Sequence, residues 1–255
     1  MTDPLNRFSN RAENYVKYRP GYPPGVIELL KSECGLTKTS VIADVGSGTG
    51  ILSELFLKNG SPVFAIEPNT EMRRAAERLL REYTQFVSIE ATAEATTLET
   101  ESVDFITAAQ AFHWFDRNKA KKEFARILRP DGWVALIWNE RRLNSTAFLQ
   151  AYEDLLLRYG TDYAQVRHEK VTGEIGEFFN PETFTVKTLE NAQHFDFESL
   201  KGRLLSSSYA PDQNHSDFKP MLAELATVFA AHAQGGIVAF EYDTKVFYGH
   251  LGRAC

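Results

Sequence analysis

Apolar residues along the chain gather into short, nearly unbroken runs: VIADV (41–45), VFAIE (63–67), FVSIEA (86–91), VDFITAA (103–109) and WVALIW (133–138). Runs of this length with few polar interruptions predict strands buried on both faces, as in a parallel sheet covered by helices. Between them the spacing of apolar positions changes to threes and fours. Ile51, Leu52, Leu55 and Phe56 make one helical stripe, and Met72, Ala75, Ala76, Leu79, Leu80 and Tyr83 a second, with Arg and Glu filling the other face. Ala120, Phe124, Ile127 and Leu128 make a third, which Pro130-Asp131-Gly132 is expected to stop before the next strand. Strand and helix in strict alternation define an α/β chain with a doubly wound, mostly parallel sheet.

After Trp138 the pattern changes. Residues 144–170 read as a helix (Phe148, Tyr152, Leu155, Leu156, Tyr159) and a polar connection, a helical insertion over the sheet's edge. Residues 183–197 predict a long strand, 198–207 and 217–233 helices, and 237–248 a closing strand. These two late strands bring the sheet to seven and predict an antiparallel hairpin at its C-terminal edge. The chain is expected to form a single domain, with an arm and helix over 1–34, a core over 35–140, the insertion over 141–182 and the edge strands and helices over 183–255.

Composition narrows the function classes. With 255 residues, 43% hydrophobic and 24% charged, the chain has the make-up of an ordinary soluble protein. A formal net charge of -6 leaves no broad cationic surface, so no nucleic-acid partner is expected. No eighteen-residue apolar stretch and no signal-type apolar core at the start occur, so no membrane association and a cytoplasmic location are expected. Cys34 and Cys255 belong to no metal or redox pair and read as free thiols. His168, His194, His215 and His250 are scattered without ligand spacing, and no metal is expected.

The candidate chemistry begins at DVGSGTG, 44–50, where the first strand hands over to a helix. In a doubly wound sheet ligands bind beyond the carboxyl ends of the strands, at the point where the strand order reverses. Glycines at 46, 48 and 50 free the backbone there and leave no Cβ against a ligand. Asp44 sits inside an apolar strand, where an unpartnered carboxylate is costly. Glu67 ends the second strand on the same rim, where a carboxylate can accept two hydrogen bonds from a ribose diol. Together they describe a nucleoside site. The dinucleotide fingerprint needs its third glycine one residue later, at the position held by Ile51, and no P-loop lysine follows. The stretch therefore seats a nucleoside ligand without a pyrophosphate.

DVGSGTG, Glu67 and the later LRPDGW, in this order and spacing over about residues 35–140, resemble the signature blocks of the class I S-adenosylmethionine-dependent methyltransferases. FSNRAENYVKYRPGYP, AFHWFD and IWNERR resemble, more narrowly, the small-molecule group that includes trans-aconitate methyltransferases. The resemblance implies a Rossmann-like methyltransferase fold, S-adenosylmethionine as cofactor and a small-molecule methyl acceptor. It implies that Gly46, Ser47 and Gly48 lie under the methionine part of the cofactor, with Asp44 near its amino acid portion, and that Glu67 binds the ribose. Pro68 and Asn69 would flank the adenine, Ala93 and Glu94 would contact its amino edge, and Gln110 and Ala111 would close over the methionine.

Tyr15, Tyr18 and Arg19 precede the sheet; Tyr18 and Arg19 are candidate cofactor contacts, Arg19 suiting the cofactor's carboxylate as a planar bidentate donor, against the alternative that Tyr15 and Tyr18 pack the arm on the domain and Arg19 is solvated. His113, with Trp114 and Phe115, ends the fourth strand and is the candidate catalytic residue, as base or acceptor orienter, against the alternative of a packed wall residue. Arg141 and Arg142, just beyond the fifth strand, approach the same rim and would suit an acceptor with carboxylates, against the alternative of ordinary surface charge. The helices over 144–180 and 198–233 are expected to cover the acceptor, their aromatics lining a pocket or filling a core.

A sulfonium methyl is already activated, so an enzyme needs mainly alignment and exclusion of water, and no triad or metal is required. The expectation is methyl transfer to a small molecule, an organic acid at oxygen. C- or N-methylation of a quinone precursor or amine, a nicotinamide-dependent oxidoreductase and a non-catalytic cofactor-binding protein remain as alternatives, and the chain could act as a monomer or homodimer.

Overall fold

A computed structural model of the chain describes residues 18–161, 163, 171–207 and 209–252. In chain order these form α1 (Gly25–Cys34), β1 (Ile42–Val45), α2 (Ile51–Asn59), β2 (Val63–Ile66), α3 (Thr70–Leu79), β3 (Phe86–Ile89), β4 (Val103–Ala109), α4 (Arg117–Ile127), β5 (Leu128–Arg141), α5 (Ala147–Tyr159), α6 (Val171–Phe179), β6 (Phe184–Phe195), α7 (Phe197–Leu205), α8 (Phe218–His232) and β7 (Val238–Gly249). One seven-stranded sheet runs in the order β3-β2-β1-β4-β5-β7-β6. The β3 to β5 strands pair in parallel, whereas β7 pairs antiparallel with both β5 and β6. The expected mostly parallel sheet with an antiparallel edge is thus present.

Each face of the sheet is covered. On one face Ile42, Val63, Phe105 and Ile137 meet Val26 and Leu30 of α1 and Leu52 and Phe56 of α2. On the other, Val45, Ile66, Ile106 and Leu136 meet Phe124 and Ile127 of α4 and Phe178 and Phe179 of α6. Burial on both sides explains why these strands read as continuous apolar runs. A third cluster packs α5, α7 and α8 onto the Val238, Phe240 and Tyr242 end of β7 and caps the sheet beyond the carboxyl end of β5. The insertion therefore divides: α5 joins this cap, while Phe178 and Phe179 of α6 fill the main core.

The junction of α4 and β5 departs from expectation. Leu128 belongs to no helix: it already pairs with Val103, and the next paired positions are Phe105 and Trp133. Pro130-Asp131-Gly132 therefore bulges within a strand rather than stopping a helix. The bulge is held by Arg129, whose Nη1 donates to both carboxylate oxygens of Asp104 at 2.9 Å, and by the left-handed backbone of Asp131 (φ 63°). Among the described residues no helix is long and apolar enough to cross a membrane, and no group of three metal-ligating side chains occurs.

Candidate active site

The site is built where β1 meets α2. β1 is the pivot of the sheet, since β2 lies on one side and β4 on the other, and its carboxyl end opens between their connections. The amides of Gly46 and Ser47 donate to the carbonyl of Ile66 at 2.8 and 3.1 Å, which fixes the loop to β2. Gly46 has a φ of 67° and a Cβ there would lie 2.5 Å from that of Ala111, so only glycine admits the β4 connection this close. Gly48 is also left-handed, at φ 56°, but a Cβ there would meet no protein atom. One glycine serves the fold and the other faces open space.

Asp44 lies buried beneath the loop and accepts hydrogen bonds from Ser53 Oγ at 2.6 Å and Thr107 Oγ1 at 3.1 Å. Burial pushes its carboxyl up to about 6, against those hydrogen bonds and with the neighbouring Glu67 adding to the rise. Glu67 is also buried, and its two oxygens accept the amides of Gly48 at 2.9 Å and Asn69 at 2.8 Å. Burial raises its carboxyl as well, opposed by these amides and by Arg73. A carboxylate offers about four acceptor positions, so two remain for a diol. Arg73 Nη1 donates to the carbonyls of Glu67 and Pro68 at 3.1 and 3.0 Å, while the Asn69 side chain caps α3 through the amides of Glu71 and Met72.

A cleft opens here, lined by Tyr22, Asp44, Gly46, Ser47, Gly48, Thr49, Ile51, Leu52 and Ala109. Two of its polar atoms, Ser47 Oγ and Thr49 Oγ1, are buried without a hydrogen-bond partner among the described residues. Buried hydroxyls left unbonded are costly, and their place in a glycine-floored cleft is that of donors awaiting a polar ligand.

The other predicted residues are not among those that line this cleft, and each is held by contacts of its own. Gln110 takes a left-handed φ of 54°, and its Nε2 donates to the carbonyl of Asn139 at 3.0 Å, tying β4 to β5 at the rim. Ala111 lies under Gly46, and Ala93 is buried beside the third strand. The Glu94 carboxylate accepts the amide of Asp116 at 2.8 Å and so holds the start of α4. His113 sits in a short 3-10 turn, Phe112–Trp114, with ring centroids 4.5 Å from Trp114 and 5.6 Å from Trp138. Tyr18 does not line the cleft; its ring presses on Gly202 of α7, where a Cβ would lie 2.2 Å from the ring. Arg19 is half-buried next to it, and Tyr15, Cys255 and His168 lie outside the described residues.

The arginine pair separates. Neighbours on a strand point to opposite faces. Arg142 is taken up by acidic side chains at the antiparallel edge, with Asp243 Oδ1 at 2.7 Å and Glu190 Oε1 at 3.4 Å, and does not present a free guanidinium to an acceptor. Arg141 turns under the helical cap, bonded to Glu153 and to Tyr163 Oη, with its guanidinium 5.3 Å from the centroid of Tyr152. Of the groups now in place, sequence reasoning missed Tyr22, Thr49, Ser53 and Thr107. The last two carried a signal, as lone polar residues on otherwise buried positions.

The fold of this sheet, ordered 3-2-1-4-5-7-6 with an antiparallel seventh strand, is shared with solved structures of methyltransferases. Residues 43–136 match the methyltransferase domain family. Relatives include an uncharacterized methyltransferase of Schizosaccharomyces pombe, 34% identical over 150 residues, 58% of each chain. Another, of Mycobacterium bovis, is 37% identical over 134 residues, 52% of each chain. The matched stretch thus spans little more than half the length of these relatives. A candidate type II methyltransferase of Anaeromyxobacter dehalogenans shares the fold with a TM-score of 0.66 at 23% identity, over 91% of this chain and 95% of its own. A methyltransferase of Aquifex aeolicus shares it with a TM-score of 0.52 at 19% identity, over 75% and 94%.

Proposed function

We propose that the protein transfers the methyl group of S-adenosylmethionine to a small-molecule acceptor, an organic acid methylated at a carboxylate oxygen. The observation that carries the reading is the pair of hydroxyls without a partner among the described residues, Ser47 Oγ and Thr49 Oγ1, in a glycine-floored cleft lined by the buried carboxylate of Asp44, with the buried Glu67 holding its Gly48 amide. These residues fit the cofactor: Asp44, Ser47 and Thr49 would take its amino acid end, Glu67 its ribose hydroxyls through the two acceptor positions left over, and Pro68, Ala93 and Glu94 its base. Arg19 would meet its carboxylate, and Gln110 and Ala111 would border its thioether side.

When bound, the cofactor supplies a methyl group on a sulfonium whose leaving group is neutral. The chain's own work is then positional. Gly46 lets Ala111 close against the loop, and Gln110 fixes the β4 and β5 ends as one rim. His113 packs between the buried Trp138 and the exposed Trp114, a set of rings that would close over a bound acceptor and exclude water. A carboxylate acceptor has no proton to lose, and His113 then orients rather than deprotonates. For a hydroxyl or amine acceptor the same ring would take the proton.

Calorimetric titration of the whole protein with S-adenosylmethionine, S-adenosylhomocysteine and the nicotinamide cofactors tests the proposal. Saturable binding of the first two is expected. Saturable heat with a nicotinamide cofactor alone would overturn it.

A further inference from the structure

Arg203 of α7 is 8% exposed and has no carboxylate partner among the described residues. Its Nη1 donates to Ser207 Oγ at 3.1 Å, it shares a hydrogen bond with Tyr242, and its Nε is buried with no acceptor. A guanidinium does not shed its charge on burial, so such a position is costly unless an anion completes it. Arg141 is close by: Tyr152 lies within electrostatic reach of both guanidiniums, and Tyr242, which bonds Arg203, is the β7 residue opposite Arg141. Arg141 Nη1 is also buried without an acceptor.

Among the described residues no carboxylate pairs with Arg203, and the one that pairs with Arg141 is Glu153. The buried carboxylate in the cluster, Glu153, accepts from Arg141 and from Tyr163 Oη at 2.6 Å. The phenols of Tyr152 and Tyr163 are pushed above their ordinary range by burial and stay neutral. Tyr242 donates its proton to Gln193 at 3.0 Å, which leaves its oxygen to accept from Arg203. The unused atoms are thus N–H donors of two planar cations, a set that matches a carboxylate.

The cluster also faces the right rim. Arg141 ends β5, two residues beyond Asn139, whose carbonyl receives Gln110; along a strand that is about 6–7 Å. From the other side, Tyr18 packs on Gly202, the residue before Arg203, and four residues later in the same segment Tyr22 lines the cofactor cleft.

We infer that Arg203 and Arg141 form a buried anion site in the helical cap that anchors a carboxylate of the methyl acceptor. The assignment of the anion to the acceptor rests on the methyl-transfer reading above. Arg203 is then a specificity-determining residue for acceptors that carry a negative charge away from the methylated atom.

The test is calorimetry on the full chain saturated with S-adenosylhomocysteine, using short aliphatic mono- and dicarboxylates, propionate to adipate, each beside its neutral amide. Binding of at least one carboxylate about tenfold or more tighter than its amide is expected, and Arg203→Gln should lose that preference while binding S-adenosylhomocysteine as the parent does. Arg203→Lys should keep part of it. Equal binding of acids and amides, or a preference intact in Arg203→Gln, overturns the site. Failure to bind S-adenosylhomocysteine would instead strike the methyl-transfer reading. If Arg203→Gln does not fold, the parent protein decides alone: its melting temperature should rise with the carboxylates and not with the amides at matched ionic strength, and equal behaviour again overturns the site.

Discussion

Asp44 in the cofactor cleft and Arg203 in the helical cap are both buried charged side chains, yet their surroundings differ in kind. Asp44 has two hydroxyls aimed at it, Ser53 and Thr107, from the helix that follows it and the strand beside it. Arg203 has one hydroxyl, one phenol and an unanswered Nε. The cleft is finished by the chain itself and lacks only polar partners for Ser47 and Thr49; the cap lacks a charge. On the proposed reading, a methyl donor that every turnover requires meets a loop whose carboxylates the chain itself holds in place, whereas the acceptor side keeps its discriminating group in reserve.

The largest effect should come from the glycine that belongs to the fold. Gly46→Ala forces a Cβ to 2.5 Å from Ala111 in a left-handed backbone. Overpacking and the left-handed penalty together predict a loss of about 2–4 kcal/mol in urea unfolding. Gly48→Ala, left-handed but with nothing near its Cβ, should cost about 1 kcal/mol. Equal losses at the two positions would dissolve the distinction between a glycine for the fold and one for the ligand.

Glu67→Ala comes next. It removes the acceptor of the Gly48 and Asn69 amides and the proposed ribose contact together. Affinity for S-adenosylhomocysteine should fall by about 1–3 kcal/mol in calorimetry, the scale of hydrogen bonds to a charged group. Unchanged affinity would move the ribose elsewhere and leave the cleft without its second carboxylate's role.

Asp44 sharpens the comparison through pH. Its carboxyl is raised from the ordinary 3.8 to about 6 in the folded protein. The folded state therefore holds the proton longer than the unfolded state, and stability falls as pH rises from about 4 to about 6 and stays lowered above. Asp44→Asn, which has no charge to bury, should be more stable than the parent by about 1–3 kcal/mol near neutral pH, with the advantage shrinking toward pH 4. Urea midpoints at the two ends of that window decide it; an advantage independent of pH would mean that the carboxyl is not raised.

Much of this was legible along the chain, and the reasons are local. The strands announced themselves because both faces are buried, and the glycine loop because its residues are contiguous. The bulge at Pro130-Asp131-Gly132 was not legible, since it depends on Arg129 reaching Asp104, twenty-five positions away. Tyr18, a candidate cofactor contact in the sequence, packs on Gly202 instead, and Tyr22 carried no reading, because what the two touch is brought to them by the folded chain. Arg203 reads as the polar face of an amphipathic helix, and nothing nearby in sequence says that Tyr152 and Tyr242 will enclose it. Arg141 and Arg142 did carry an unused signal: consecutive strand residues cannot serve the same face.

That alternation gives the smallest predicted effect. Arg142 is half-buried on a polar sheet edge, between Asp243, Glu190 and Glu241, and Glu190 is 88% exposed. Ion pairs of this exposure contribute little and are screened by salt. Arg142→Ala should therefore change the melting temperature only slightly, less at high salt than at low, and leave the preference for carboxylates over amides where it was. If instead it abolished that preference while Arg203→Gln preserved it, the anion would bind on the outer face of β5, and the buried guanidiniums of the cap would be structural groups held in place by their tyrosines.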